Sequence, residues 1–229
     1  TKASYAELVK DRDLMPDASV HMLNPLSSDL GAMRQSLVFQ GLEAIARNAN
    51  HQQPDLRLFE FGRTYTRQDN GEGGFNYHEK EHLSLWVTGR AFPESWNRPK
   101  GKEGLADMYT LKETVEALFH SIGLHVLSDQ ETQGEGLLAE GVILRHPNGK
   151  EIGRWGMVHP EVAAACDVSE AVFWADFDVA LLLKAVKKRR TKAKDLPKFP
   201  SVRRDLALVV DKSMPYDTLK QAATNAERK

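Results

Sequence analysis

The chain has 229 residues, is 41% hydrophobic and holds one cysteine, Cys166, so it can bury a core but cannot build a disulfide framework or a cysteine zinc cluster. A net charge of -1 excludes a polycation that coats nucleic acid indiscriminately. Nothing in it resembles a signal peptide or an apolar run long enough to cross a bilayer, so a soluble, cytoplasmic protein is expected, with Cys166 as buried packing.

In chain order, the short apolar run 20–23 predicts a strand closed by the turn-forming Asn24-Pro25. Leu37, Leu42, Ile45 and Ala46 then recur at helical spacing, with Ser36 placed to cap the first free amides and Asn48 and Asn50 at the end. Residues 56–67 are rich in aromatic and β-branched side chains and predict a strand. After a polar, glycine-containing loop over 68–78, the alternation of Leu83, Leu85 and Val87 predicts its partner over 83–88. Leu111, Val115, Leu118, Phe119 and Ile122 form one helical stripe over 110–122, with Gly123 available to end it. A hairpin is expected from 141–145 and 152–158 around Pro147-Asn148-Gly149, then a short helix over 160–165 and a strand over 172–177.

From Lys184 the chain becomes basic, with Lys187, Lys188, Arg189, Arg190, Lys192, Lys194 and Lys198 opposed only by Asp195. That cluster suits either phosphate contacts or a solvated linker. Residues 204–210 predict a strand and 216–227 a helix. A lone β-α pair cannot bury both faces, so the chain is expected to be part of a longer polypeptide.

One local pattern points to different chemistry. His78-Glu79-Lys80-Glu81-His82 satisfies H-E-x-x-H, a zinc-hydrolase signature that requires both imidazoles on one helical turn. Between a glycine-rich loop and an alternating strand, extended geometry at about 3.3 Å per residue separates the two histidines by about 13 Å, too far for one ion. Loop and strand-terminus histidines, and no metal site, are expected instead.

Several stretches carry a family resemblance. They are Asn24-Pro25-Leu26-Ser27 with Met33-Arg34-Gln35-Ser36-Leu37 and Gly41-Leu42; Leu58-Phe59-Glu60-Phe61-Gly62-Arg63; Gly156-Met157-Val158-His159-Pro160; and Phe199-Pro200-Ser201-Val202-Arg203-Arg204-Asp205-Leu206. In this order they resemble the C-terminal portion of the bacterial phenylalanyl-tRNA synthetase β subunit. The resemblance implies an α+β fold: a non-catalytic class II synthetase-like core over 1–183, with a mainly antiparallel sheet flanked by helices. A basic linker would follow over 184–198, and the start of a ferredoxin-like anticodon-binding domain over 199–229. It further implies a catalytic α subunit as partner in an α2β2 assembly, phenylalanine tRNA as a further partner, and ATP and magnesium as cofactors of the holoenzyme but none in this chain.

The residues support the loss of catalysis. Catalytic relatives carry Gly-Arg-Val-Tyr-Arg on the motif-2 strand, whose last arginine grips the ATP α-phosphate; here Thr66 stands there, and Arg67 lies one residue late, on the opposite face of an ideal strand. Motif 3 would supply a glycine-rich turn and an arginine, yet 171–183 holds neither, and carries Asp176 and Asp178 instead. Tyr77-His78-Glu79-Lys80-Glu81-His82 resembles the catalytic subunit's Phe-His-Gln-x-Glu-Gly segment. No catalytic residue is therefore expected; Leu37, Leu42 and Ile45 are the candidate α-subunit contacts and Lys198, Arg203 and Arg204 the candidate tRNA contacts. Arg34 and Arg63 suit ion pairs or substrate contacts. An active class II adenylating enzyme with an unusual ATP site is the alternative, ahead of a zinc hydrolase.

Overall fold

Side-chain alternation along two long strands sets the architecture. The computed structural model describes residues 1–8, 14–27, 30–92, 96, 104–124, 128–133, 136–146, 148–186, 198–200 and 202–226, in two units, Thr1–Arg190 and Thr191–Lys229. In the first unit, β1 (Leu56–Asp69) and β2 (Phe75–Thr88) pair antiparallel from Leu56↔Thr88 to Asp69↔Phe75 without a register shift. β3 (Ser128–Gln133), β4 (Leu138–Arg145), β5 (Glu151–Val158) and β6 (Val172–Asp178) complete an antiparallel sheet in the order β1-β2-β6-β5-β4-β3. This is the mainly antiparallel sheet with helices that the resemblance implies.

Each face of the sheet has its own helix. The helix α2 (Val38–Asn50) shares one core cluster with Trp86, Val172 and Trp174, and Leu56 and Leu58 pack against it. The approach is close at Gly41, where a Cβ would lie 2.0 Å from Cε2 of Trp86, so no larger residue fits without moving the indole. On the other face Leu83, Val87, Phe173, Ala175 and Phe177 share a cluster with Leu111, Val115 and Phe119 of α3 (Met108–Ser121). The Phe119 and Phe177 rings meet edge-on at 5.2 Å.

Helix ends follow local chemistry. Asp107 and Thr110 form a reciprocal capping box at the start of α3, and Gly123 follows its end with φ 74°, as expected. For α2, the Ser36 hydroxyl accepts from the Val38 amide at 3.2 Å, although Leu37 occupies the capping position. The remaining helices of this unit are α1 (Tyr5–Leu8), α4 (Pro160–Ala164) and α5 (Val179–Val186).

Several expectations need correction. The strand expected over 20–23 is only an isolated bridge, His21↔Ala32, and Leu23 is left exposed. The loop expected over 68–78 shrinks to 70–74, because Asn70 Oδ1 accepts from the Glu72 and Gly74 amides and turns the chain early. The polar β3 carries no alternation to read, and α5 is too short to reveal a helical period. α5 also runs past residue 183, where the core was expected to end.

In the second unit, α6 (Tyr216–Ala226) forms where a helix is expected. The strand expected over 204–210 does not form: these residues have no ladder partner among the described residues, and a strand exists only through pairing. The basic residues Lys187, Lys188, Arg189, Arg190, Lys192 and Lys194, and Pro147 of the hairpin turn, lie outside the described residues. No helix among the described residues is long and apolar enough to cross a membrane.

Candidate functional site

Where α2 stops covering the sheet, a cleft of about 510 Å³ opens on the same face. Alternation places Thr64 and Thr66 of β1, His78, Lys80 and His82 of β2, and Trp174 and Asp176 of β6 along it. One wall is a single 3-10 turn, Pro16–Ala18, tied down by Gln35. Gln35 Nε2 donates to the Met15 carbonyl and to Ser19 Oγ, both at 2.8 Å, while its Oε1 accepts from the Met15 amide at 3.0 Å.

Asp176 organises the floor. Its Oδ2 lies 2.7 Å from His82 Nδ1, and its Oδ1 accepts from Ser84 Oγ. This is not a nucleophile relay, because the hydroxyl is bonded to the carboxylate rather than to the imidazole, and Ser84 is fully buried. Two buried polar atoms, His82 Nε2 and Trp174 Nε1, have no hydrogen-bond partner among the described residues. Leaving such a group unpaired costs about 1–3 kcal/mol.

The zinc signature comes apart on this sheet. His78 and His82 lie on the cleft side, whereas Glu79 and Glu81 lie on the reverse side, where Arg63 holds them at 2.7 Å and 2.9 Å. The acid that would activate water and the imidazoles that would hold the metal are on opposite faces. The five residues sit in the middle of β2, not in a loop or at a strand terminus as expected, because the pairing with β1 continues to Phe75. Among the described residues, no group of three or more acidic, histidine or cysteine side chains could hold a metal.

The ambiguous arginines are structural. Arg34 Nη1 meets Glu60 at 2.8 Å while its Nε donates to the Arg63 carbonyl at 2.8 Å, and the hydrogen bond that Arg63 donates to Glu81, then the Glu79 charge, raise the Arg63 pKa. Thr66 lies in the cleft. Arg67 also reaches the cleft rim, contrary to strict alternation, held over the Phe75 ring at 4.4 Å and donating to the Asp17 carbonyl at 3.3 Å.

The candidate α-subunit contacts need revision. Leu37, Leu42 and Ile45 are 0%, 0% and 1% exposed within the chain's own core, so they have no surface to offer a partner. Among the exposed apolar side chains, Phe59, Phe61 and Tyr77 share the reverse face of the β1–β2 hairpin, at 70%, 67% and 67% exposed. Sequence reasoning assigned Phe59 and Phe61 to a strand and Tyr77 to the loop over 68–78, without seeing that the three share one exposed face. In the second unit Lys198, Arg203 and Arg204 are exposed, and Arg203 lies 3.7 Å from Asp205. Trp174, Gln35 and the role of Asp176 were not legible, since each depends on contacts between distant segments.

Comparison with known proteins agrees with this geometry. The model of the phenylalanyl tRNA synthetase beta chain CLM domain matches residues 1–179. The phenylalanine–tRNA ligase beta subunit of Bacteroides thetaiotaomicron is 37% identical over 216 residues, covering 92% of this chain and 26% of that protein. That of Thermotoga maritima is 30% identical over 207 residues, covering 90% of this chain and 25% of that protein. The chain thus spans about a quarter of the length of these relatives. Among solved structures, pyrrolysyl-tRNA synthetase from Desulfitobacterium hafniense matches with a TM-score of 0.56 at 13% identity, over 81% of this chain and 60% of that one, a likeness of fold alone.

Proposed function

The chain belongs to the phenylalanyl-tRNA synthetase β-chain family, and from that premise we propose that it is a non-catalytic, synthetase-shaped scaffold within phenylalanine–tRNA ligase. The observation that carries this reading is Thr66. It stands in the cleft where the resembling catalytic strand has its phosphate-gripping arginine, and a neutral hydroxyl cannot replace a bidentate guanidinium. Arg67 is occupied by Phe75 and the Asp17 carbonyl, and the Asp176 carboxylate in the cleft opposes a triphosphate. ATP-dependent attachment of phenylalanine, with its magnesium, then belongs to the α subunit of an α2β2 assembly.

The reverse face of the β1–β2 hairpin is the surface for that subunit. Phe59, Phe61 and Tyr77 present rigid aromatic area of the kind that interfaces use as anchors, and the Phe59 and Phe61 rings meet edge-on at 6.4 Å. Lys198, Arg203 and Arg204 supply phosphate contacts to the tRNA, weak ones for this chain by itself.

Co-expression with the α subunit tests the proposal. The chain is expected to co-purify, and the double variant Phe59→Ser, Phe61→Ser to lose most of the bound α subunit while keeping its melting curve, because both rings are solvent-exposed. A folded wild-type chain that never co-purifies would sink the scaffold reading. Phenylalanine-dependent pyrophosphate exchange by this chain alone would overturn its non-catalytic part.

A further inference from the structure

Where β1 turns into β2, the loop 70–74 brings together the parts of a reaction of the chain with itself. Asn70 is followed by Gly71, whose nitrogen carries no neighbouring side chain to shield it and lies one small-ring closure from the Asn70 side-chain carbon. Both residues are exposed, and a Cβ on Gly71 would meet nothing within 4 Å among the described residues, so water reaches this peptide bond.

The loop polarises both reacting groups. Asn70 Oδ1 accepts from the Glu72 and Gly74 amides, both at 3.0 Å, and the Asn70 amide donates to the Gly74 carbonyl at 3.1 Å. Two N–H groups on one carbonyl oxygen draw electron density from its carbon and stand ready for the negative charge that an attack puts on that oxygen. The Gly71 N–H donates to Asp69 Oδ1 at 2.7 Å, so a carboxylate already holds the proton that the attacking nitrogen must lose. The Asn148-Gly149 pair lacks this arrangement. Among the described residues, the Lys150 amide alone reaches Asn148 Oδ1, at 3.2 Å, and the Gly149 N–H donates to the His146 carbonyl at 2.7 Å, a far weaker base than a carboxylate.

We propose that Asn70-Gly71 is a self-modification site, at which the folded loop assists loss of the side-chain amide. The Gly71 nitrogen bonds to Asn70 Cγ as its proton passes to Asp69. The Cγ–Nδ2 bond then breaks, the proton goes to the leaving nitrogen, and ammonia departs from a cyclic imide. Water opens the ring, so carboxamide and water become carboxylate and ammonia, with no oxidation or reduction. Opening at Cγ gives aspartate; opening at the backbone carbonyl gives isoaspartate, which routes the main chain through the side-chain carbons. Either product adds a carboxylate beside Asp69 and Glu72, and isoaspartate also lengthens the main chain inside the turn that joins β1 to β2.

The test is incubation of the folded chain in heavy-oxygen water at mildly alkaline pH, followed by tryptic digestion and mass spectrometry of 68–80 and 146–150, with fragment ions separating Asn70 from Asn76. Asn70 is expected to deamidate about tenfold or more faster than Asn148, and the two rates to converge in guanidinium chloride, where neither loop persists. Asp69→Asn, at an exposed position, keeps an oxygen for the Gly71 amide but removes the base. It is expected to slow Asn70 about tenfold, less than the loss of a buried base, because water partly substitutes. A rate at Asn70 no faster than at Asn148 in the folded chain, a preference that persists in guanidinium chloride, or an unchanged rate in Asp69→Asn would each overturn the proposal.

Discussion

Residues 75–81 and 82–88 form one strand with one unbroken register, yet 75–81 are all exposed whereas 83, 84, 86, 87 and 88 are buried. The buried half lies between α2 on one face and α3 on the other, and the exposed half is paired with β1 alone among the described residues. The pairing with β1 keeps one register along both, and only 82–88 has a second ladder, to β6, so the β1 ladder fixes geometry while burial and the second ladder add the stability of the buried half. This division leaves a stretch of sheet with correct strand geometry and free side chains, which is what a cleft on one face and an aromatic surface on the other require.

The largest test is Trp86→Ala. The indole is 2% exposed, lies opposite Trp174 and touches α2 at Gly41, so its removal opens a cavity at the junction of sheet and helix. Such truncations cost about 3–5 kcal/mol. Trp86 Nε1, which has no hydrogen-bond partner among the described residues, is lost at the same time, which relieves a small penalty and places the result toward the lower end of that range. Urea unfolding is expected to show a lower midpoint at an unchanged slope. A loss as small as that of an exposed-half substitution would break the distinction between the two halves.

Next in size is a pH effect in the core that roofs the buried half. Tyr5 stacks on Phe39 of α2 at 4.3 Å and its hydroxyl donates to Glu43 Oε1 at 2.7 Å. Burial first, and the Glu43 carboxylate second, push its phenol pKa well above the ordinary value of 10.0, and burial also raises the Cys166 thiol above 9.0. With both groups raised in the folded state, the folded chain holds protons that the unfolded chain releases. Their stability is intact below the ordinary values and is lost as pH rises through them toward the folded ones. Unfolding midpoints across about pH 8 to 11 are expected to fall from near 9 upward. Tyr5→Phe should lower stability by about 1 kcal/mol at neutral pH, for the lost hydrogen bond, and flatten the part of the fall above 10. An unchanged alkaline slope in the variant would show that Tyr5 does not cause it.

Sequence reading reached the buried half and stopped at the exposed one for a physical reason. Leu83, Leu85 and Val87 alternate because one face packs on α3, and the same logic recovered α2, α3, β5 and β6. Phe75 to Glu81 are held extended by β1 rather than by a core, so no buried apolar alternation marks them, and 75–78 read as the end of a loop that leads into a metal motif. Burial direction was also hidden: Leu37, Leu42 and Ile45 lie on an apolar stripe that could face a partner or the chain's own sheet, and only the position of Trp86 decides. The cleft needed β6 beside β2, a long-range pairing that brings Asp176 to Ser84 and places it beside His82, and no local spacing reveals it.

The smallest expected effect sharpens the comparison most. Arg63 bridges Glu79 and Glu81 on the exposed half, with all three side chains about half exposed. Water and salt screen these pairs, so Arg63→Ala is expected to lower global stability less than either change above, by an amount that vanishes at high salt. Removing it nevertheless leaves two carboxylates on one strand face, two residues apart, with no cation between them. Their repulsion acts locally, on the half of the hairpin that no helix covers. Hydrogen exchange is therefore expected to quicken for the amides of 75–81 while those of 83–88 keep their protection, since the two halves open at different free energies. Equal acceleration across all of β2 would mean that the strand opens as one unit, and that the exposed half draws its order from the buried core after all.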